Sequence, residues 1–174
     1  MFTIEQATVQ DVERIRRMAL RVFPDTYREI ISPEQTDYMM EWMYAPAQIR
    51  RQMEEGQVYL ILLKDGEDGG YASVERQEKD LFILQRLYVL PAFQGCQAGR
   101  FLFDEAVKYI REVHPEPCVM ELHVNRYNRA VHFYRRMGMS VDREGDFPIG
   151  NGFYMNDYIM KRVISEEHES VVSS

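Results

Sequence analysis

Leu87-Tyr88-Val89-Leu90-Pro91-Ala92-Phe93-Gln94-Gly95-Cys96-Gln97-Ala98-Gly99-Arg100 passes from an apolar run through a short turn into an amphipathic segment. The run Leu81–Leu90 is broken only by Gln85 and Arg86, which predicts a strand in the middle of a sheet, and Pro91 ends it. From Gln97 to Val113 the residues Phe101, Leu102, Ala106, Val107 and Ile110 keep helical spacing, and Pro115 and Pro117 close the segment. Such a junction leaves several backbone N–H groups unpaired at the start of the helix, where the helix dipole favours negative charge. Gly95 and Gly99 allow close backbone approach and Arg100 adds a cation, so a pyrophosphate is a natural ligand. The same residues also suit a turn that only joins strand to helix, and this stretch alone does not separate the two.

Toward the N-terminus, Gln57–Lys64 and Gly70–Glu78 read as two strands joined by the Asp65-Gly66 turn, making a meander with Leu81–Leu90. Further out, Phe2, Ile4 and Ala7 alternate as a strand, and Thr8 caps a helix running to about Arg21. Ser32 with Pro33 and Gln35 starts a helix to Met43, and Pro46 starts another ending near Gly56. Toward the C-terminus come a strand at Cys118–Val124, a helix from Asn128 to Met137 stopped by Gly138, and strands at Met139–Glu144 and Phe153–Lys161. The order β, helices, βββ, α, β, α, ββ predicts an α/β fold with a mixed, mostly antiparallel central sheet. It contains one parallel βαβ crossover around the turn quoted above. Residues 1–164 are expected to form one domain and residues 165–174 a disordered polar tail.

The 174 residues suffice for one core that buries about two-thirds of the unfolded surface. A net charge of −7, from 28 acidic and 21 basic residues, argues against a general nucleic-acid binder and accommodates a cationic substrate. The two cysteines, Cys96 and Cys118, and the lack of a basic-then-apolar leader predict a reduced, cytoplasmic protein. No apolar stretch has membrane-spanning length, and the four histidines and two cysteines show no zinc-ligand spacing, so no membrane and no metal are expected.

On the residues quoted, the chain resembles the GNAT acetyltransferase superfamily, whose signature at this junction is Gln/Arg-x-x-Gly-x-Gly/Ala. Gln94 fills the first place and Gly99 the last. Gln97 stands where the central glycine lies, and a side chain there narrows the loop or requires negative φ. The segment Asn128-Arg129-Ala130-Val131-His132-Phe133-Tyr134 through Gly138-Met139 resembles the Asn-x-Ala-x-x-Phe-Tyr…Gly-Phe segment of the same superfamily. The strand Arg86–Leu90, and the end segment Asp146–Gly150 with Asn156–Met160, look like those of PaiA-type polyamine acetyltransferases.

The resemblance implies acetyl transfer from acetyl-CoA to a primary amine, such as a polyamine or another small cationic amine, by direct attack within a ternary complex. The cofactor would contact Leu87, Tyr88, Val89, Gln94, Gly95, Cys96, Gln97, Ala98, Gly99, Arg100 and Asn128, with a backbone N–H near Leu87–Val89 meeting the developing oxyanion. Tyr134 would protonate the departing thiolate, or else only pack on the core face of its helix. The strand at 81–90 carries no acid, so Glu75 and Glu121 on the neighbouring strands are the candidate bases, and His123 is also open. All three also suit purely structural roles. Tyr27 and Tyr38 are the substrate-side candidates, and the Met and aromatic cluster Tyr38–Tyr44 reads as core or as the surface of a homodimer. Two other readings stay open: a CoA-binding module of this fold without turnover, and an acetyltransferase acting on protein amines.

Overall fold

The structure is a computed structural model, and it describes residues 1–165. Residues 166–174, where the sequence predicts a disordered tail, lie outside the described residues. Seven strands form one sheet in the order β1-β2-β3-β4-β5-β7-β6. They are β1 (Phe2–Gln6), β2 (Val58–Lys64), β3 (Glu67–Glu78), β4 (Leu81–Val89), β5 (Cys118–Asn125), β6 (Ser140–Gly150) and β7 (Phe153–Ile164). Every pairing is antiparallel except that of β4 with β5. A helix, α4 (Ala98–Val113), makes that crossover.

Period-two alternation in the strands sends side chains to two different layers. Leu60, Leu62, Ala72, Val74, Met120, Leu122 and Met160 face α4 and the short helix α5 (Ala130–Arg136), in a core that also holds Phe103, Ala106 and Ile110. On the opposite face Tyr59, Ile61 and Tyr71 meet α1 (Val12–Tyr27), α2 (Pro33–Tyr44) and α3 (Pro46–Glu54). Met39, Met40 and Tyr44 of the Met and aromatic cluster are buried there as core, whereas Trp42 stays 47% exposed.

Strands β3 and β7 begin or end slightly beyond their expected bounds, at Glu67 and Ile164, and two elements run much further. The first helix continues through Pro24 to Tyr27 rather than ending near Arg21. Proline removes one helical hydrogen bond, but Phe23 and Tyr27 lie on the buried face with ring centroids 4.6 Å apart, and that packing carries the helix on. Strand β6 reaches Gly150 rather than Glu144, despite Pro148. It is the last strand of the sheet, where a missing N–H costs no ladder bond. The tight β6–β7 turn takes positive φ at Gly150, Asn151 and Gly152. At Gly150 a Cβ would lie 2.5 Å from the Tyr38 hydroxyl.

Candidate active site

The sheet comes apart in its middle. β4 pairs with β5 only at Leu81↔Val119, Phe82↔Met120 and Ile83↔Glu121, while β5 stays paired with β7 as far as Asn125↔Asp157. A β-bulge accompanies the separation: Val74 faces Leu84 and Ser73 faces Arg86, so Gln85 is the extra residue. One inserted residue inverts the alternation. Arg86 and Tyr88 therefore turn toward α1–α3, and Leu87 and Val89 toward α4. The N–H of Leu90 donates to Gly69 O at 2.9 Å. Successive strand residues point their backbone groups in opposite directions, so the N–H groups of Leu87 and Val89 point away from β3 into the gap.

The gap widens into a cleft of about 900 Å³. One wall is the turn and the start of α4. Gly95 takes φ 81° and Gln97 takes φ 70°, ψ 10°. Gln97 thus adopts the left-handed conformation that suits a glycine, not the negative φ weighed from sequence, at a cost of about 1 kcal/mol. Its side chain does not cap the helix. Phe101 N–H bonds to Gln97 O at 3.0 Å, which leaves the N–H groups of Ala98, Gly99 and Arg100 without a partner among the described residues. Gln94 Nε2 donates to Val89 O at 3.0 Å and Cys96 Sγ to Phe93 O at 2.6 Å, so both side chains hold the turn. All of Leu87, Tyr88, Val89, Gln94, Gly95, Gln97, Ala98, Gly99, Arg100 and Asn128 line the cleft; Cys96 does not. The Asn128 carboxamide oxygen accepts from Ala130 N–H at 2.9 Å, which fixes the start of α5.

Tyr134 lines the same cleft. Its residue is 7% exposed and its hydroxyl makes no hydrogen bond among the described residues. Burial, with the Tyr88 phenol beside it, pushes its pKa well up and keeps it protonated. Arg129 and Arg136 also line the cleft, adding two cations that the sequence reading did not single out. Arg129 stands inside the segment that carries Tyr134, so its placement was available from that motif.

The opposite end of the cleft opens on the α1 face. Tyr27 and Tyr88 share a hydrogen bond between hydroxyls 3.2 Å apart, and Gln85 and His123 stand beside them. Behind them is Asp157, 3% exposed, with Oδ2 3.9 Å from His123 Nδ1 and Oδ1 buried without a partner. Burial raises its pKa to about 6, against the opposing pull of Arg126, and burial lowers that of His123. The sequence reading missed Asp157; its signal is an acid in phase with Met155 and Ile159 on the inward side of β7.

The two acids expected from sequence share this face and, like Asp157, lie outside the cleft lining. Glu75 accepts from Gln85 Nε2 at 3.1 Å, and Glu121 lies 3.6 Å from Arg143 Nη2, beside the last residues where β4 and β5 still pair. Tyr38 donates its hydroxyl to Ile149 O at 2.7 Å and lies outside the lining, whereas Tyr27 is part of it. Among the described residues no three His, Cys, Asp or Glu cluster as metal ligands, and no helix is long and apolar enough to cross a membrane.

The site therefore has unpaired donors on a strand edge, unpaired donors on a helix start and three arginines, which fit a thioester-bearing nucleotide with its amides and phosphates. A family model described as an acetyltransferase (GNAT) domain matches residues 27–161. An uncharacterized N-acetyltransferase of Mycobacterium tuberculosis is 25% identical over 154 residues, covering 87% of this chain and 97% of the relative. Among solved structures, the PaiA N-acetyltransferase from Thermoplasma acidophilum in complex with coenzyme A superposes with TM-score 0.76 at 21% identity, over 93% of this chain and 98% of that one. The ribosomal-protein-S18-alanine N-acetyltransferase from Escherichia coli superposes with TM-score 0.71 at 17% identity, over 95% of both chains.

Proposed function

The chain belongs to the GNAT acetyltransferase family, and from that premise we propose that it moves an acetyl group from acetyl-CoA to the primary amine of a small cationic molecule. The observation that carries this reading is the single cleft running through the split sheet. Its lining joins residues of the α4 face, such as Val89, Phe133 and Tyr134, to residues of the α1 face, such as Tyr27 and His123. Two substrates can thus enter from opposite faces and meet between β4 and β5, replacing a bimolecular encounter by positioning.

In this reading the N–H groups of Ala98–Arg100, with Arg100, Arg129 and Arg136, hold the phosphates of acetyl-CoA. The N–H groups of Leu87 and Val89 pair with the amide arm and with the thioester oxygen as charge develops on it. The amine attacks the acetyl carbon, a C–N bond forms and the C–S bond breaks. Tyr134, held protonated by burial, delivers its proton to the departing sulfur. A small acceptor is favoured over a protein because the α1 face is closed at its rim. Gln35 Nε2 donates to Tyr154 O at 2.7 Å, and Tyr38 donates to Ile149 O, tying α2 to the β6–β7 hairpin.

The test is thiol release from acetyl-CoA in the presence of a panel of polyamines, aminoglycosides and peptide N-termini. Release with a small cationic amine supports the reading. Release only with peptide N-termini moves the acceptor to the protein class, and a cofactor-dependent rise in melting temperature without any release leaves a binding module.

A further inference from the structure

An alkyl amine is protonated at neutral pH, since its pKa is about 10, and it must lose a proton before it can attack. No carboxylate is among the residues lining the cleft: Glu75 is bonded to Gln85, Glu121 is paired with Arg143, and Asp157 stands one layer back, 3.9 Å from the lining residue His123. One buried carboxylate remains at the acceptor end. On the transfer reading given above, we propose that Asp157 receives the substrate ammonium and accepts its proton.

The geometry carries this. Asp157 sits where β5 ends its pairing with β7, opposite Asn125, and on the face shared with Tyr27 and Tyr88. A carboxyl oxygen that is buried and without a partner among the described residues is rare in a folded chain and is open to a water, an ion or a ligand group. An ammonium group supplies the missing donor and charge together. The ionisable groups facing it are Tyr27 from α1, Tyr88 from β4, His123 from β5 and Arg126 from the turn after β5; across the ladder on β6 stands uncharged Gly145. The two phenols have pKa values pushed up by burial and remain neutral, so they present ring faces and hydroxyl oxygens suited to a cation. His123 lines the cleft with its Nδ1 3.9 Å from the carboxylate. With a pKa raised toward neutrality, the carboxylate is ionised at pH 7 yet basic enough to serve.

The protons balance. R–NH₃⁺ gives one proton to Asp157 and becomes R–NH₂; its nitrogen bonds to the acetyl carbon, the C–S bond breaks as Tyr134 protonates the sulfur, and the proton lost from the amide nitrogen returns to the Tyr134 phenolate. Asp157 then returns its proton to solvent, and one proton is released per turnover.

The experiment is kcat against pH from 5 to 10, with the amine found in the panel, for wild type, Asp157→Asn, Asp157→Ser, Glu75→Gln and Glu121→Gln, with acetyl-CoA binding measured alongside. Wild type should show an acid limb with an apparent pKa near 6. In both Asp157 variants the limb should vanish and log kcat should climb with unit slope toward the pKa of the amine. A deficit of roughly 100-fold or more at pH 7 should then shrink severalfold or more by pH 10, with acetyl-CoA affinity unchanged. A folded Asp157→Asn with the wild-type profile overturns the assignment, as does loss of the limb in Glu75→Gln or Glu121→Gln but not in the Asp157 variants. If neither Asp157 variant folds, a wild-type profile without the limb overturns it. Failure of wild type to release thiol with any amine overturns the transfer reading itself, a result distinct from the other three.

Discussion

The two faces of the sheet are built differently. Under α4 and α5 the layer is hydrocarbon, sulfur and aromatic ring, with Leu102, Phe103, Ala106, Ile110 and Met120 fully buried. Under α1–α3 the same sheet carries Tyr59, Tyr71 and Tyr88, the Arg86 guanidinium 5.6 Å from the ring of Tyr44 on α2, and Asp157. Three buried polar atoms without partners among the described residues, Ser73 Oγ, Arg86 Nε and Asp157 Oδ1, belong to this second face. An apolar layer repays its ordering by burial alone, whereas a polar layer with unmet groups lowers stability unless a ligand completes it. The first face supplies an apolar core around the cofactor end of the cleft, and the second carries the unmet polar groups of the acceptor end.

The sharpest way to break this contrast is to damage each face in turn. Phe103→Ala removes a fully buried ring that packs on Phe133 and Tyr134, and should cost about 3–5 kcal/mol in urea denaturation. A loss under 1 kcal/mol would deny the first face its structural role. Tyr134→Phe keeps the ring and removes only the hydroxyl, which has no hydrogen-bond partner among the described residues. It should lower kcat roughly 10- to 1,000-fold, or about 1–4 kcal/mol, with little change in acetyl-CoA affinity or melting temperature. Full activity would return Tyr134 to the first face as packing alone.

Asp157→Asn should have the opposite sign on stability. The folded pKa near 6 lies above the unfolded value of about 3.9, so the fold prefers the protonated acid. Its contribution is most favourable below pH 4, declines as pH rises through 6, and is constant above. The variant should therefore be more stable than wild type at pH 8 by up to about 3 kcal/mol and nearly equal to it at pH 4, as read from denaturation midpoints. A loss of stability at pH 8 would mean that the carboxylate holds the fold rather than serving a ligand. Smallest is Gln97→Gly, which should relieve the left-handed strain and raise stability by about 0.5–1 kcal/mol, with acetyl-CoA affinity equal or better. A weaker affinity would show that the Gln97 side chain itself binds.

What the sequence made legible divides along the same line. The apolar face announces itself by period: Phe101, Leu102, Ala106, Val107 and Ile110 at helical spacing, and Leu81–Leu90 as a buried strand. The turn at Gln94–Arg100 and Tyr134 could be named because they stand in motifs of contiguous residues. The bulge at Gln85 left no mark, since an extra residue is defined by its partner strand and not by its own type. Asp157 was hidden for a related reason. It acquires meaning only when β7 pairs with β5 and sets it behind His123, residues far apart in the chain. The continuation of α1 through Pro24 shows tertiary packing overriding a local breaker.

The split between β4 and β5 also bears on aggregation. Unpaired strand edges invite strands of other chains, and sheets usually guard them at the periphery. Here the unguarded donors of Leu87 and Val89 lie in the middle of a seven-stranded sheet, between β4 and a β5 that is itself held by β7. A strand of a second molecule cannot slide into an interior gap walled by α4 and α5, but a narrow ligand arm can. The protein can thus keep reactive backbone edges open without offering them to copies of itself, and solubility in the ligand-free state should not depend on how well that gap is filled.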